Sequence, residues 1–528
     1  MSFTGTLLPY QPEAVDKMCE RGSMLVAYDL GLGKTVLTIA AIEQMMDEKG
    51  ILEPGLIICL SSLKYQWASQ IEKFTNGSVP LVIDGTPSKR AEQYQTAIDW
   101  KETGVDYVIL NYEQVVNDWE YIKYLPKGFI VLDEATAIKS FKSKRSKQIK
   151  KLSSPIRFAL TGTPIENGRP EELFSIMQFV DSSVLGRFDQ FDKTFILRGW
   201  NGWVDGYKNL DKFHELMKQA SVRKSQTDPD VSPYLPKTIH RAPVLVSFDR
   251  ASAKLYKAIS SEVVQDIKNA MENFGSSFSL AEHYGDSSSS KRYSDMDEAR
   301  GQIMSKVGCL RMLCSHPDLL KLSADKFKTL QGGSAYAHFL AEEGLLDNLK
   351  SCPKLDFLVS YVKDFLATSE QNKLVIFASY IGMVDMIADS LGRDICVTYT
   401  GAMDAKTKEL TKENFNNNPA VRVFVSSDAG GYGVDLPSAN LLINYDLPWS
   451  AGTAAQRNGR IRRASSKWPV IVIQDILMGG SIEQRQYEVL QQKSSVASAI
   501  IDGSGFDEHG SLTINIDSLT KFLEGEST

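Results

Sequence analysis

Short apolar runs rich in β-branched residues recur through the first part of the chain, each closing on polar or glycine-rich positions. Met24–Tyr28, Leu56–Leu60, Tyr107–Leu110, Phe129–Asp133 and Arg157–Leu160 read as strands, with helical stretches such as Val36–Met45 between them. This alternation predicts a parallel sheet wrapped by helices, with ligand-handling residues at the C-terminal ends of the strands. The rhythm restarts near Lys373, with strands expected at Leu374–Ala378, Ile395–Tyr399, Val421–Ser426, Leu441–Tyr445 and Val470–Asp475. Between roughly Ile165 and Pro353 no strand rhythm is evident, and helical stretches such as Ala251–Phe274 and Glu298–Met312 dominate. Gly275–Asp295 reads as a mobile polar loop. Ile482, Val489, Val496 and Ile500 repeat at helical spacing and predict one long amphipathic helix, followed by a polar tail. The expected α/β chain therefore has a first lobe over 1–180, a helical insertion over 181–352 with its loop at 275–295, a second lobe over 353–480, and a terminal helix and tail over 481–528.

Length and composition change this picture little. The 528 residues suit more than one domain. No stretch approaches the ~18 apolar residues of a membrane span, and Met1-Ser-Phe-Thr-Gly-Thr lacks the pattern of a secretory signal. Six scattered cysteines include no C-x-x-C pair, which argues against a disulfide framework or a zinc site and fits a reducing cytosol. The net charge is −6, yet Lys139, Lys142, Lys144, Arg145, Lys147, Lys150 and Lys151 form a basic block free of acids. Such a block is a solvated face or a surface for a polyanion.

The chemistry lies at the strand ends. Asp29-Leu-Gly-Leu-Gly-Lys-Thr35 follows one strand and precedes a helix, the setting in which a glycine-rich turn cradles a triphosphate. Tyr28 stands where a phosphate loop usually begins with glycine. Lys34 would neutralise the β/γ oxygens and Thr35 would reach Mg²⁺. Asp133-Glu134, after another strand, would supply a metal-side carboxylate and a base that orients water. In the second half, Gln456-Arg-Asn-Gly-Arg460-Ile-Arg-Arg463 offers permanently cationic groups for phosphoryl charge, with Arg460 and Arg463 expected on one helical face. Upstream, the glycines of Ser426–Pro437 permit close backbone approach to phosphate.

On these motifs the chain resembles the superfamily 2 helicase-type ATPases, and among them the Swi/Snf-type DNA translocases. Leu8-Pro-Tyr-Gln11 is similar to the adenine-reading glutamine motif, Asp29–Thr35 to motif I, and Asp133-Glu-Ala-Thr136 to the acidic box, with Thr136 where the family carries histidine. Leu160–Pro164 with Ile165-Glu-Asn167 resembles motif III, and Ser426–Leu436 and Gln456–Arg463 resemble motifs V and VI. Val222-Arg-Lys224, Leu235-Pro-Lys237 and Leu313-Cys-Ser-His-Pro317 resemble signatures of this subfamily.

The resemblance implies two RecA-like lobes closing on ATP and Mg²⁺, with a helical insertion and a brace helix. It implies catalytic roles for Lys34, Asp133, Glu134, Gln456, Arg460 and Arg463, and nucleotide contacts from Gln11, Gly31, Leu32, Gly33, Lys34, Thr35, Gly433 and Asp435. Thr35 and Asp133 would hold the metal. Ser62, Lys64, Trp67, Asn111, Tyr112, Lys139, Ser379, Ser427 and Trp449 are the expected DNA contacts. The expected activity is DNA-stimulated ATP hydrolysis driving movement along duplex DNA by a cytoplasmic monomer of bacterial or viral character, with a replication or recombination protein as a conceivable partner and no membrane association. Fork remodelling or annealing, and service as the motor of a restriction or defence complex, are the alternatives.

Overall fold

The structure is a computed structural model, and it describes residues 3–199, 204–274, 291–428, 434–502 and 512–513. In the first lobe the strand order is Pro80–Val82, Tyr107–Asn111, Gly55–Cys59, Ile130–Asp133, Arg157–Leu160, Ser23–Tyr28 and Ser221–Lys224. Every neighbouring pair is parallel. Central strands such as Gly55–Cys59 are buried along their whole length, as a parallel sheet with helices on both faces requires. Alternate residues feed two cores: Leu25 and Ala27 enter one, Met24 and Val26 the other.

The second sheet runs Lys237–His240, Val470–Met478, Leu441–Asn444, Leu374–Phe377, Val423–Ser426 and Cys396–Tyr399, with Val244–Val246 also paired to Val470–Met478. It too is parallel and buries both faces. The architecture is thus two α/β lobes, each built on a parallel sheet.

The stretch expected to lack strands contributes to both. Ser221–Lys224 completes the first sheet beside Ser23–Tyr28, while Lys237–His240 and Val244–Val246 join the second. The chain therefore changes lobes near residues 225–236, far ahead of Pro353. These strands are three or four residues long and partly exposed, so they carry neither a continuous apolar run nor a clean alternation. Arg250–Phe274, Lys291–Ser315, Pro317–Lys328 and Ala335–Glu342 form the helical insertion around a separate core. Residues 291–295, expected in a loop, open the Lys291–Ser315 helix. The rest of that expected loop, 275–290, and most of the tail lie outside the described residues.

The long C-terminal helix, Ile482–Ile501, joins the lobes. At its start Lys354 donates to both carboxylate oxygens of buried Glu483, at 2.8 and 2.6 Å. At its end Ile500 is buried in the first-lobe core that includes Leu210 and Phe213. Among the described residues no helix is long and apolar enough to cross a membrane.

Candidate functional site: a cleft between the lobes

The phosphate-loop segment turns from strand Ser23–Tyr28 into helix Lys34–Lys49. Gly31 and Gly33 sit at φ 79° and 78°, a region closed to most side chains. A Cβ on Gly33 would stand 2.4 Å from Nε2 of Gln11. No side chain caps the helix at Gly33, so its first N–H groups and positive dipole end face the loop. Gln11 is a strut: its Oε1 accepts from the Leu8 N–H at 2.8 Å, and its Nε2 donates to the Leu32 carbonyl at 3.0 Å. Lys34 folds back over the loop, donating to the carbonyls of Tyr28 at 2.9 Å and Asp29 at 3.3 Å. Burial lowers its pKa, and the charges of Glu134 and Asp133 oppose that fall.

Asp133 closes strand Ile130–Asp133. Its Oδ2 accepts from Trp67 Nε1–H at 2.8 Å and its Oδ1 from the Glu134 N–H at 2.9 Å. The Tyr112 hydroxyl donates to the Asp133 carbonyl at 2.8 Å. Burial raises the Asp133 pKa, while the Trp67 hydrogen bond and Lys34 resist. Glu134 adopts φ 51°, a left-handed conformation that costs a non-glycine residue roughly 1–2 kcal/mol. Burial, then the neighbouring Asp133 charge, raise its pKa to about 7, against the pull of Lys34 and Arg460.

The second lobe supplies the opposite wall. Gln456 Nε2 stands 3.5 Å from Glu134 Oε2. Helix Ala451–Asn458 ends at Gly459, where a Cβ would come within 3.0 Å of Leu30. Arg460 and Arg463 thus follow the helix in a turn, correcting the expectation that they share a helical face. Both still reach the cleft. Arg460 is buried with its charge felt at Glu134. Arg463 lies across the phosphate loop, where a Cβ on Gly31 would meet its Cδ at 2.9 Å. Its Nη2 is 2.7 Å from exposed Asp435, and its Nε is buried with no protein partner. Gly433 lies outside the described residues.

One model of known families, the SNF2-related domain, matches residues 10–319, and another, the helicase conserved C-terminal domain, matches residues 354–465. The chain belongs to the SNF2-related family. Among its relatives, "DNA repair and recombination protein RAD54-like" of Gallus gallus is 25% identical over 507 residues, covering 90% of this chain and 64% of the relative. "Putative ATP-dependent helicase/translocase YwqA" of Bacillus subtilis is 24% identical over 512 residues, covering 96% of this chain and 50% of the relative. The chain spans about half the length of the curated relatives it matches. The Pyrococcus furiosus Hef helicase domain shares the fold, with a TM-score of 0.51 at 16% identity over 91% of this chain and 97% of that one.

Several expected DNA contacts of this SNF2-related chain are inside the first lobe. Lys64, Trp67 and Tyr112 are almost fully buried. Lys64 donates to the Ile83 carbonyl at 2.7 Å and to Asp84 at 2.9 Å, while Trp67 and Tyr112 support Asp133. These three present no surface to a polyanion, a correction that burial imposes. Ser427 is also buried. Asn111 caps helix Tyr112–Asn117 in a reciprocal pair with Gln114, and the Ser379 hydroxyl donates to Asp446 at 2.6 Å. Lys139 is ion-paired with Glu166. Ser62 and Trp449 are exposed, and Trp449 carries the Arg311 guanidinium 4.5 Å above its ring. From the basic block, Lys142, Lys144, Lys147 and Lys151 are exposed.

Sequence reasoning missed Arg457. It is buried, pairs with Asp428 and Asp446, and donates to the Ser379 hydroxyl at 3.2 Å. Its membership of the arginine-rich segment was the available signal, but nothing in that segment says which arginine turns toward the sheet.

The residues of the cleft are of the kind a metal–triphosphate would need: the Thr35 hydroxyl and the Asp133 carboxylate would offer hard oxygens to a divalent ion. The unpartnered Arg463 Nε beside the loop suits an anion.

Proposed function

We propose that this chain is an ATP-driven motor that moves along double-stranded DNA without stable strand separation, acting as a cytoplasmic monomer. One observation carries the reading: the glycine loop and acidic pair of one lobe face Gln456, Arg460 and Arg463 of the other across a single cleft. The names of its relatives, which refer to DNA repair and to helicase or translocase activity, support the DNA half of the proposal.

In this reading Gly31, Leu32 and Gly33 offer backbone N–H groups to the phosphates, and Lys34 leaves the Tyr28 and Asp29 carbonyls to pair with them. Gln11 holds Leu32 and would read the adenine. Mg²⁺, held by Thr35 and Asp133, would neutralise phosphate charge. Glu134, with a pKa of about 7, is poised near neutrality to accept a proton from water. Arg460 and Arg463 stabilise charge on the transferring group; a finger of this kind is worth ~10³–10⁵ in rate. Exposed lysines of the 142–151 helix region and Trp449 would meet the DNA backbone. Such binding is salt-sensitive and largely blind to sequence.

ATPase assays with duplex, forked and single-stranded DNA, beside triplex- and strand-displacement assays, test the proposal. Duplex-stimulated turnover and triplex displacement without strand displacement are expected. Unwinding of a plain duplex would replace the translocase reading with a helicase one. DNA-stimulated turnover surviving in Lys34→Ala would overturn the cleft assignment.

A further inference from the structure

The side chain of Asp29, the first residue of the phosphate-loop segment, has no part in the chemistry above, yet its carboxylate is fully engaged. Arg223, on strand Ser221–Lys224 beside Ser23–Tyr28, donates through Nη1 to Asp29 Oδ1. The Gln226 N–H donates to Asp29 Oδ2 at 2.9 Å, and the Gln226 side chain donates to the Leu30 carbonyl at 2.7 Å. The same Arg223 guanidinium reaches the opposite way: Nε donates to Asp502 Oδ1 at 2.8 Å. Asp502 is the cap at the C-terminal end of the brace helix Ile482–Ile501.

Meanwhile the Asp29 and Tyr28 carbonyls hold the Lys34 ammonium. A continuous polar chain therefore runs from the end of the brace helix, through one planar fork of donors, to the backbone that seats the nucleotide lysine. The other end of the brace is anchored by the buried Lys354–Glu483 pair beside the second lobe. A further strand of the chain, Arg462 Nη2 to the Gln226 carbonyl at 3.1 Å, ties the second lobe to the same segment.

We infer that Arg223 is a positioning residue that couples the seating of the C-terminal brace helix on the first lobe to the nucleotide affinity of the phosphate loop. With Asp502 in place, the fork holds the Asp29 carboxylate, and the turn keeps the shape in which Lys34 and the Gly31–Gly33 amides converge. When the helix end lifts, Arg223 loses the Asp502 carboxylate from its Nε and keeps only its Nη1 contacts to Asp29 and to the Ala27 and Lys224 carbonyls, so its hold on the Asp29 turn loosens. The device makes ATP binding responsive to whatever moves the C-terminal end of the chain. Arginine suits the position because its fixed donors can serve two acids at once, which a lysine point charge cannot do with the same geometry.

This inference rests on the proposed nucleotide site, and the test separates the two. Binding of a fluorescent ATP analogue with Mg²⁺ is measured for the parent chain, Asp502→Asn, Arg223→Gln, Arg223→Lys and the Asp502→Asn/Arg223→Gln double variant, with thermal unfolding recorded for each. The parent should bind. Asp502→Asn should weaken binding about two- to fivefold, the range of a partly exposed ion pair passed on to a neighbouring site, with its unfolding midpoint unchanged. In the Arg223→Gln background the Asp502→Asn substitution should have no further effect, and Arg223→Lys should not restore parental affinity. If the parent binds and Asp502→Asn binds equally well, or if the two substitutions add independently, the coupling is refuted while the nucleotide site stands. Failure of the parent to bind any nucleotide would instead remove the site itself.

Discussion

Glu134→Gln should abolish hydrolysis and at the same time make the nucleotide-free protein more stable. The carboxyl sits between the lobes with its pKa raised from 4.5 to about 7, chiefly by burial and then by Asp133. A folded state that raises an acid's pKa binds a proton the unfolded chain has already lost between those two values. Stability is therefore complete below about pH 4.5 and declines as pH rises through about 7. At about 1.4 kcal/mol per tenfold change in proton affinity, the cost of ionised Glu134 above pH 7 is on the order of 3 kcal/mol. Glutamine keeps the shape of the protonated carboxyl and stays neutral at every pH, which removes that cost. For a lobe of this size the gain corresponds to a rise of roughly 5–10 °C in the unfolding midpoint at pH 8. Differential scanning calorimetry of both proteins at pH 8 and at pH 5, without nucleotide, measures it. The gap should shrink markedly at the lower pH. No gain at pH 8, or a gain of equal size at both values, would show that the charge of Glu134 is not held at the expense of the fold.

Other substitutions probe the remaining contacts. Trp67→Phe removes the N–H that steadies Asp133; a hydrogen bond to a charged group is worth about 1.5–3 kcal/mol. The Mg²⁺ concentration needed for half-maximal ATPase should rise about tenfold or more, with DNA affinity unchanged because the ring is buried. Gly33→Ala forces a Cβ to 2.4 Å from Gln11 Nε2 at φ 78°, and isothermal titration should find nucleotide binding lost. Lys354→Met leaves Glu483 buried and unpaired beside the second lobe, which should cost about 3–5 kcal/mol in denaturant unfolding. Lys144→Ala with Lys147→Ala, both on the exposed side of their helix, should weaken duplex affinity and flatten its salt dependence by about two counterions, while basal ATPase persists.

The cleft residues were legible because each motif is local. A strand, a glycine turn and a helix N-terminus make a phosphate cradle within a dozen consecutive residues, and Asp133-Glu134 announces itself by ending an apolar run. The central strands were legible for the same reason, since burial on both faces writes a continuous apolar word. The edge strands Ser221–Lys224 and Lys237–His240 were not, because a half-exposed strand of four residues has no such word. Helix Ala451–Asn458 stops short of Arg460 at Gly459, which packs against Leu30 of the other lobe, and no local pattern anticipates a neighbour so distant in sequence.

Local sequence thus determined the two-sheet architecture and the family, since backbone propensity and short-range spacing are enough to encode a loop, a strand end or an amphipathic helix. Which polar residues face solvent was decided only by tertiary packing. Trp67, Tyr112 and Lys64 read as surface contacts and proved to be internal supports, Arg457 proved to be a buried tie, and Arg223 proved to stand between the nucleotide loop and the brace helix. Burial and the direction of a hydrogen bond are properties of pairs brought together over hundreds of residues, and they exist only once the chain has closed on itself.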